Sequence, residues 1–217
     1  MKKLFLASAI ALFATVSAQE YKPAAGDVTV DLGVSGGLGN TSIGLADGGA
    51  AFKVRYFKTD KLAYRFTMVL ANNSDTDNSV TNVVSKDNDF ALGLGFGAEK
   101  HFTGTDRLSP YVGGDIMIGY ASQSSKSTFT PTSGTAVVSE VKGPNTFGAG
   151  VRGVFGADYY FAKRVFLGVE AGLSLMYSSE GDTTTSLTGS PDVTVKGGSN
   201  FNISPSVVTG IRIGYAF

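Results

Sequence analysis

Phe147-Gly148-Ala149-Gly150-Val151-Arg152-Gly153-Val154-Phe155-Gly156-Ala157-Asp158-Tyr159-Tyr160-Phe161 changes character at every second residue. Phe147, Ala149, Val151, Phe155, Ala157, Tyr159 and Phe161 share one side, while Gly148, Gly150, Arg152, Val154, Gly156, Asp158 and Tyr160 share the other. Successive side chains of a strand point to opposite faces, so the stretch predicts a β-strand with one apolar face and one mixed face of glycines and charges.

Working outward from it, the same pattern recurs to give eight segments in all. Val28, Val30, Leu32 and Val34 oppose Thr29, Asp31, Gly33 and Ser35; Phe52, Val54 and Tyr56 oppose Lys53, Arg55 and Phe57. Leu62, Tyr64, Phe66, Met68 and Leu70 oppose Ala63, Arg65, Thr67 and Val69, and Phe90 to Ala98 alternates with Ala91 to Glu99. Val112, Ile116, Ile118 and Tyr120 oppose Tyr111, Gly113, Asp115, Met117 and Gly119. After the opening stretch, Val165 to Tyr177 alternates with Phe166 to Met176, a set that includes Glu170, and Val207 to Phe217 alternates with Val208 to Ala216, a set that includes Arg212. Short turns at Lys58–Lys61, Thr103–Ser109 and Ala162–Arg164 alternate with connections of about 14 to 24 residues starting near Gly36, Asn72, Ser122 and Ser178. Short turns at one end and long loops at the other predict an all-β fold, an eight-stranded antiparallel up-and-down transmembrane β-barrel.

Composition agrees. The 217 residues are 17% charged and include 29 Gly, with no Cys and no Trp, which argues against a disordered polyelectrolyte, a disulfide scaffold and cysteine-based redox chemistry. Eighteen basic residues balance eighteen acidic ones, so there is no electrostatic footprint for nucleic acid. Lys2 and Lys3, the apolar run Leu4–Val16 and the small residues before Gln19 read as a secretory signal peptide over residues 1–18. A short periplasmic segment, residues 19–26, then leads into the barrel, residues 27–217. No later apolar run is long enough for a membrane helix, so any insertion must use strands closed into a barrel.

The mixed face carries Asp31, Lys53, Arg55, Arg65, Glu99, Asp115, Arg152, Asp158, Glu170 and Arg212, five of each sign, among small residues. Facing lipid, each Lys or Arg would cost roughly 2–4 kcal/mol near the midplane, so this face is expected to line the lumen as a charge-paired polar core. On the apolar faces, Tyr56, Tyr64, Tyr159 and Phe161 gather toward the short turns, and Phe90, Tyr120, Phe147 and Tyr177 toward the loops. Two aromatic girdles around an aliphatic band suit bilayer interfaces.

Architecture and the terminal stretch Gly210-Ile211-Arg212-Ile213-Gly214-Tyr215-Ala216-Phe217 together resemble the small outer-membrane β-barrel superfamily, which includes the transmembrane domain of outer-membrane protein A and the outer-membrane protein X type. The resemblance covers Asp27 to Phe217. It implies residence in a bacterial outer membrane, contact with its lipid and lipopolysaccharide, and recognition by the barrel assembly machinery through Tyr215 and Phe217. Arg212 stands where that signal usually has Gly. The soluble peptidoglycan-binding domain of longer relatives is not expected.

No cofactor, metal or catalytic residue is expected. His101, the sole histidine, is expected as a solvated or interfacial side chain at the periplasmic rim. Barrel enzymes that modify lipid A are expected, by resemblance, to act near the outer leaflet, so a Ser-His-acid triad by the long loops cannot be assembled. Asp75, Asp77, Asp87 and Asp89 offer oxygen ligands for Ca²⁺ but lack the EF-hand spacing, and read as a solvated acidic loop. The long loops hold Asp47, Asp75, Asp77, Asp87, Glu140, Glu180, Asp182 and Asp192 against Lys86, Lys126, Lys142 and Lys196. Ala136, Val137, Val138 and Val141 suggest a hairpin standing above the membrane, with an edge open to a partner strand. The reading is a non-enzymatic envelope barrel with a structural or adhesive role. A narrow channel is the alternative, and a lipid A-modifying enzyme ranks below it.

Overall fold

The computed structural model describes residues 21–33 and 51–217, without the side chains of 51 and 204–211. The signal peptide, the first long loop with Asp47, Val34, Ser35, and the side chains of Val207, Thr209 and Ile211 lie outside the described residues.

Alternation becomes strand throughout. Among the described residues the strands are β1 (Val28–Gly33), β2 (Ala51–Thr59), β3 (Leu62–Asp77), β4 (Val83–His101), β5 (Leu108–Phe129), β6 (Val137–Lys142), β7 (Thr146–Ala162), β8 (Val165–Glu180), β9 (Thr183–Leu187), β10 (Val193–Val195) and β11 (Ser199–Ala216). β5, β4, β3, β2, β1, β11, β8 and β7 pair in that order, and β7 returns to β5. Every pairing is antiparallel, and the ring is an eight-stranded barrel. Closure joins the first and last strands through Val30↔Tyr215 and Leu32↔Ile213.

The apolar faces point outward. Ile116 is 67% exposed and Phe155 65%, with Phe96, Val151, Val169 and Ile213 beside them in the same band. Such a belt would be an aggregation liability in water and is the surface a bilayer covers. Tyr56, Tyr64, Tyr159, Phe161 and Tyr215 stand outward at the short-turn end, and Phe90, Tyr120, Phe147 and Tyr177 at the other. Phe201, in register with Tyr177, is 62% exposed and extends the outer belt.

The connections differ from expectation. β3 and β4 remain paired out to Asp77↔Ser85, and β5 runs 22 residues, whereas a tilted strand crosses the bilayer in about 9–11. β6 continues the pairing of β7 along β5, and β9 and β10 extend the wall further. What the sequence marks as loops from Asn72, Ser122 and Ser178 is therefore largely sheet. Above lipid both faces are wet, so the ladder persists while the apolar period that would reveal it disappears. The edge of β6 is covered by β9, and among the described residues the outermost strand of this wall is β10.

Candidate functional site

The inward face of the short-turn half is filled by a plug of ions and aromatic rings. Asp31, Lys53, Arg55, Arg65, Glu99, Asp115, Asp158, Glu170 and Arg212 are all buried, and Arg152 is half-buried at the long-hairpin edge of the group. Phe57, Tyr111, Tyr160 and Phe166 are buried among them.

Nine of the ten charges have two or more opposite neighbours, and Arg152 pairs with Asp115. Glu99 lies 2.7 Å from Arg65, 3.2 Å from Arg55 and 3.4 Å from Lys53. Glu170 accepts from Arg65 Nη2 at 3.0 Å, Arg212 at 3.1 Å and the Tyr111 hydroxyl at 2.8 Å, and sits 3.4 Å from Lys53. Asp158 accepts from Arg55 at 2.5 Å, and Asp115 joins Arg65 at 3.0 Å to Arg152 at 2.7 Å. Asp31 faces Lys53 at 3.7 Å and Arg55 at 3.5 Å. Arg55 also donates to Thr29 at 2.9 Å and its guanidinium stacks 4.9 Å from the Phe166 ring centre. Buried charges are tolerated when paired and hydrogen-bonded; five cations balance five carboxylates here, while Asp31 holds its two cations at ion-pair distance with no hydrogen bond to either carboxylate oxygen.

Glycine makes these contacts possible. Arg65, Gly97 and Asp115 are in direct register on three consecutive strands, so the Arg65–Asp115 bridge passes over Gly97. Tyr111 reaches Glu170 over Gly156, where a Cβ would stand 2.5 Å from the Tyr111 hydroxyl. Asp158 and Arg212 meet over Gly168, where a Cβ would lie 2.6 Å from Asp158 Oδ1. Each glycine leaves a gap one strand wide through which the next strands' side chains meet.

His101 corrects the expectation of a solvated rim residue. β4 continues its alternation from Glu99 to His101, which turns the imidazole into the lumen, where it is 2% exposed. Its Nδ1 lies 2.9 Å from Ser109 Oγ and its Nε2 3.2 Å from Glu99, with Phe57 and Tyr111 against the ring. The chain does bring a hydroxyl, an imidazole and a carboxylate together, at the short-turn end. The carboxylate is shared with Lys53, Arg55 and Arg65, and Ser109 is buried, so the group is part of the packing of the plug. The signal that would have placed it is the continuation of period two past Glu99.

A strap, residues 21–27, closes the end below. Tyr21 stacks on the Arg107 guanidinium at 4.3 Å and Lys22 Nζ donates to Thr103 O at 2.9 Å, on the turn between β4 and β5. Ala25 N–H donates to Asp60 at 3.0 Å, and Asp27 pairs with Arg164 at 3.4 Å. The strap thus touches all three turns at this end. β5 lies opposite β1 in the ring, so the strap crosses the opening.

Toward the loop end several inward positions are small, Ala91, Gly93, Gly119, Ala121 and Gly148, beside the larger Met117 and Met176. Asp75, Asp87 and Asp89 line a cleft of about 410 Å³ at the mouth with Gln123, Ser125 and Val141. They stand on paired strands, in place of the expected acidic loop. Among the described residues no group of three or more His, Cys, Asp or Glu is placed to hold a metal. Tyr215 and Phe217 pack edge to face at 4.9 Å, and Phe217 N–H donates to Val28 O at 2.8 Å.

The profile of the putative OmpA-OmpF-like porin family matches residues 50–186. Among solved structures, the N-terminal β-barrel domain of OprF from Pseudomonas aeruginosa is similar at 14% identity and a TM-score of 0.35, covering 90% of this chain and 100% of that one. CarO from Acinetobacter baumannii is similar at 12% identity and a TM-score of 0.38, covering 89% and 97%. No curated protein sequence matches the chain.

Proposed function

The chain belongs to the putative OmpA-OmpF-like porin family, and from that premise we propose that it is a closed, non-enzymatic barrel of the bacterial outer membrane, structural in the envelope and presenting its raised hairpins to the surroundings. The plug carries this reading: ten mutually paired charges and four buried aromatic rings occupy the periplasmic half of the lumen. An eight-stranded barrel is just wide enough for side chains to fill. Export by residues 1–18 and assembly through Tyr215 and Phe217 belong to the same proposal.

The alternative, a narrow channel for ions, water or small solutes, draws on the small inward residues of the extracellular half. On that reading the plug is the constriction. Planar-bilayer recording separates the two. Folded protein is expected to give no conductance steps, and steady single-channel steps from the native sequence would overturn the closed-barrel reading.

A further inference from the structure

Above the outer aromatic belt the wall sorts its charges by face. Residues in direct register project to the same side and successive residues alternate. The row Asp75–Asp87–Ser125–Val141–Thr185–Val193 crosses six strands on the inward side, and Asp77 and Asp89 share that face at alternate positions. The neighbouring row, Thr76–Lys86–Lys126–Glu140–Ser186, points outward, as does Ser74–Asn88–Ser124–Lys142–Thr184. Four aspartates thus face the mouth, and three lysines face away from it.

Two of the outward lysines are under-compensated. Lys86 and Lys126 stand directly opposite each other on β4 and β5, an arrangement in which like charges repel. Neither lies within ion-pair distance of an acid among the described residues; Glu140 is taken by Lys142 at 3.4 Å. Their height fits a headgroup layer. Four residues separate Lys86 from the belt residue Phe90, which at ~3.4 Å per residue and a tilt of ~40° is about 10 Å along the membrane normal. Lys142 lies two residues closer, at about 5 Å. Headgroup regions add roughly 5–8 Å to each side of the hydrocarbon core, and lysine stems bend toward such a layer.

We propose that Lys86, Lys126 and Lys142 form a site for the phosphate groups of anionic lipid headgroups in the outer leaflet. The inference rests on the reading of the barrel as an outer-membrane protein with its raised hairpins outside. A lysine near an anionic surface contributes about a fivefold gain in binding, and with Glu140 offsetting one of the three charges the set corresponds to about a twenty-five-fold gain.

The test titrates detergent-folded full chain with diphosphorylated lipid A and with its dephosphorylated form, reading bound lipid by native mass spectrometry. Expected are preferential retention of the phosphorylated lipid, loss of that preference in K86Q/K126Q/K142Q, and weakening at high salt. D75N/D87N, which neutralises the inward face, is expected to bind as the native chain does. Equal retention of the two lipids, or equal binding by native and triple variants, overturns the proposal, as does saturation by inorganic phosphate alone in place of lipid. If the triple variant fails to show the heat-modifiable shift of a folded barrel, K86Q and K126Q singly carry the same test, each expected at about fivefold. Conductance by the native chain would refute the closed plug without touching this site, and phosphate-blind lipid binding would refute the site without touching the plug.

Discussion

Neutralising Glu170 is expected to destabilise the barrel, and removing Lys53 as well is expected to return part of the loss. Glu170→Gln removes the negative charge facing Arg65, Arg212 and Lys53 at 3.0, 3.1 and 3.4 Å. Removing one partner of a buried ion pair costs about 3–5 kcal/mol, a large part of a typical domain's ~5–15 kcal/mol. Lys53→Met strips a buried cation from Asp31, Glu99 and Glu170 and is expected to cost a similar amount by the opposite imbalance. The double variant restores neutrality with a side chain of similar volume, so its cost is expected to fall about 2–3 kcal/mol short of the sum of the single costs. The chain has no Trp, so the assay follows the fraction folded by heat-modifiable electrophoretic shift across a urea series in lipid vesicles. Costs that add to within ~0.5 kcal/mol would refute the coupled network.

Gly97→Ala places a Cβ against Gly114 O and the Asp115 carboxylate and is expected to cost about 1–3 kcal/mol, whereas Gly153→Ala, with nothing within 4 Å of the new carbon, is expected to be neutral in the same urea series. Ser109→Cys, the sole thiol in a chain without cysteine, is expected to resist a membrane-impermeant thiol reagent. Adding Tyr21→Ala and Arg107→Ala, which removes contacts worth ~1–2 kcal/mol, should raise its rate about tenfold; an unchanged rate would mean that the strap does not cover the opening. The exposed Asp182 carboxyl is held below the usual carboxylate range by hydrogen bonds from Lys196 and the Gly197 amide. Its contribution is present above the unfolded-state value and is lost as pH falls through the lowered one, so hydrogen exchange in residues 181–198 should be insensitive to Asp182 protonation at neutral pH and rise under acid. Asp182→Asn should remove that acid response while leaving barrel unfolding unchanged.

Strand faces were legible because lipid on one side and a narrow lumen on the other impose a strict period of two. The opening stretch shows both at once: Phe155 is 65% exposed while Asp158 and Tyr160 are buried. The outer wall was not legible because Ser, Thr, Asn and Asp serve equally on both sides of a sheet in water. Asn72 to Asp77 and Ser122 to Phe129 therefore read as loop although they remain in the ladder. His101 was misplaced for a smaller reason. The turn signals at Thr103 and Gly104 drew the boundary back to Glu99, one alternation short of the strand's end. Which charges meet was beyond the alternation itself, since it depends on register: Lys53 and Glu170 lie 117 residues apart on strands that are not paired.

Register also gives the abundant glycine a specific physical role. On a narrow lumen face an inward side chain between two charges can block their approach, and a glycine in the middle position opens the direct path across one strand, although the long arms of Arg55 and Lys53 also reach Glu99 past Arg65 and Thr67 on β3. Gly97, Gly156 and Gly168 occupy such middle positions. Where inward glycines alternate with large side chains, as around Tyr111 and Arg212, the lumen fills and the ions interlock. Where small residues face one another, as at Gly93 and Gly119, the wall itself carries no side chain, whereas Met176 lies over Gly150 and against Gly148. The same residue type therefore serves different ends according to what its register neighbours carry. It follows that no single neutralisation is expected to produce a conducting barrel: with Glu170 gone, Arg65 still meets Glu99 and Asp115, and Arg212 still meets Asp158. Stability should fall first, and conductance should appear only when members on several strands are removed together.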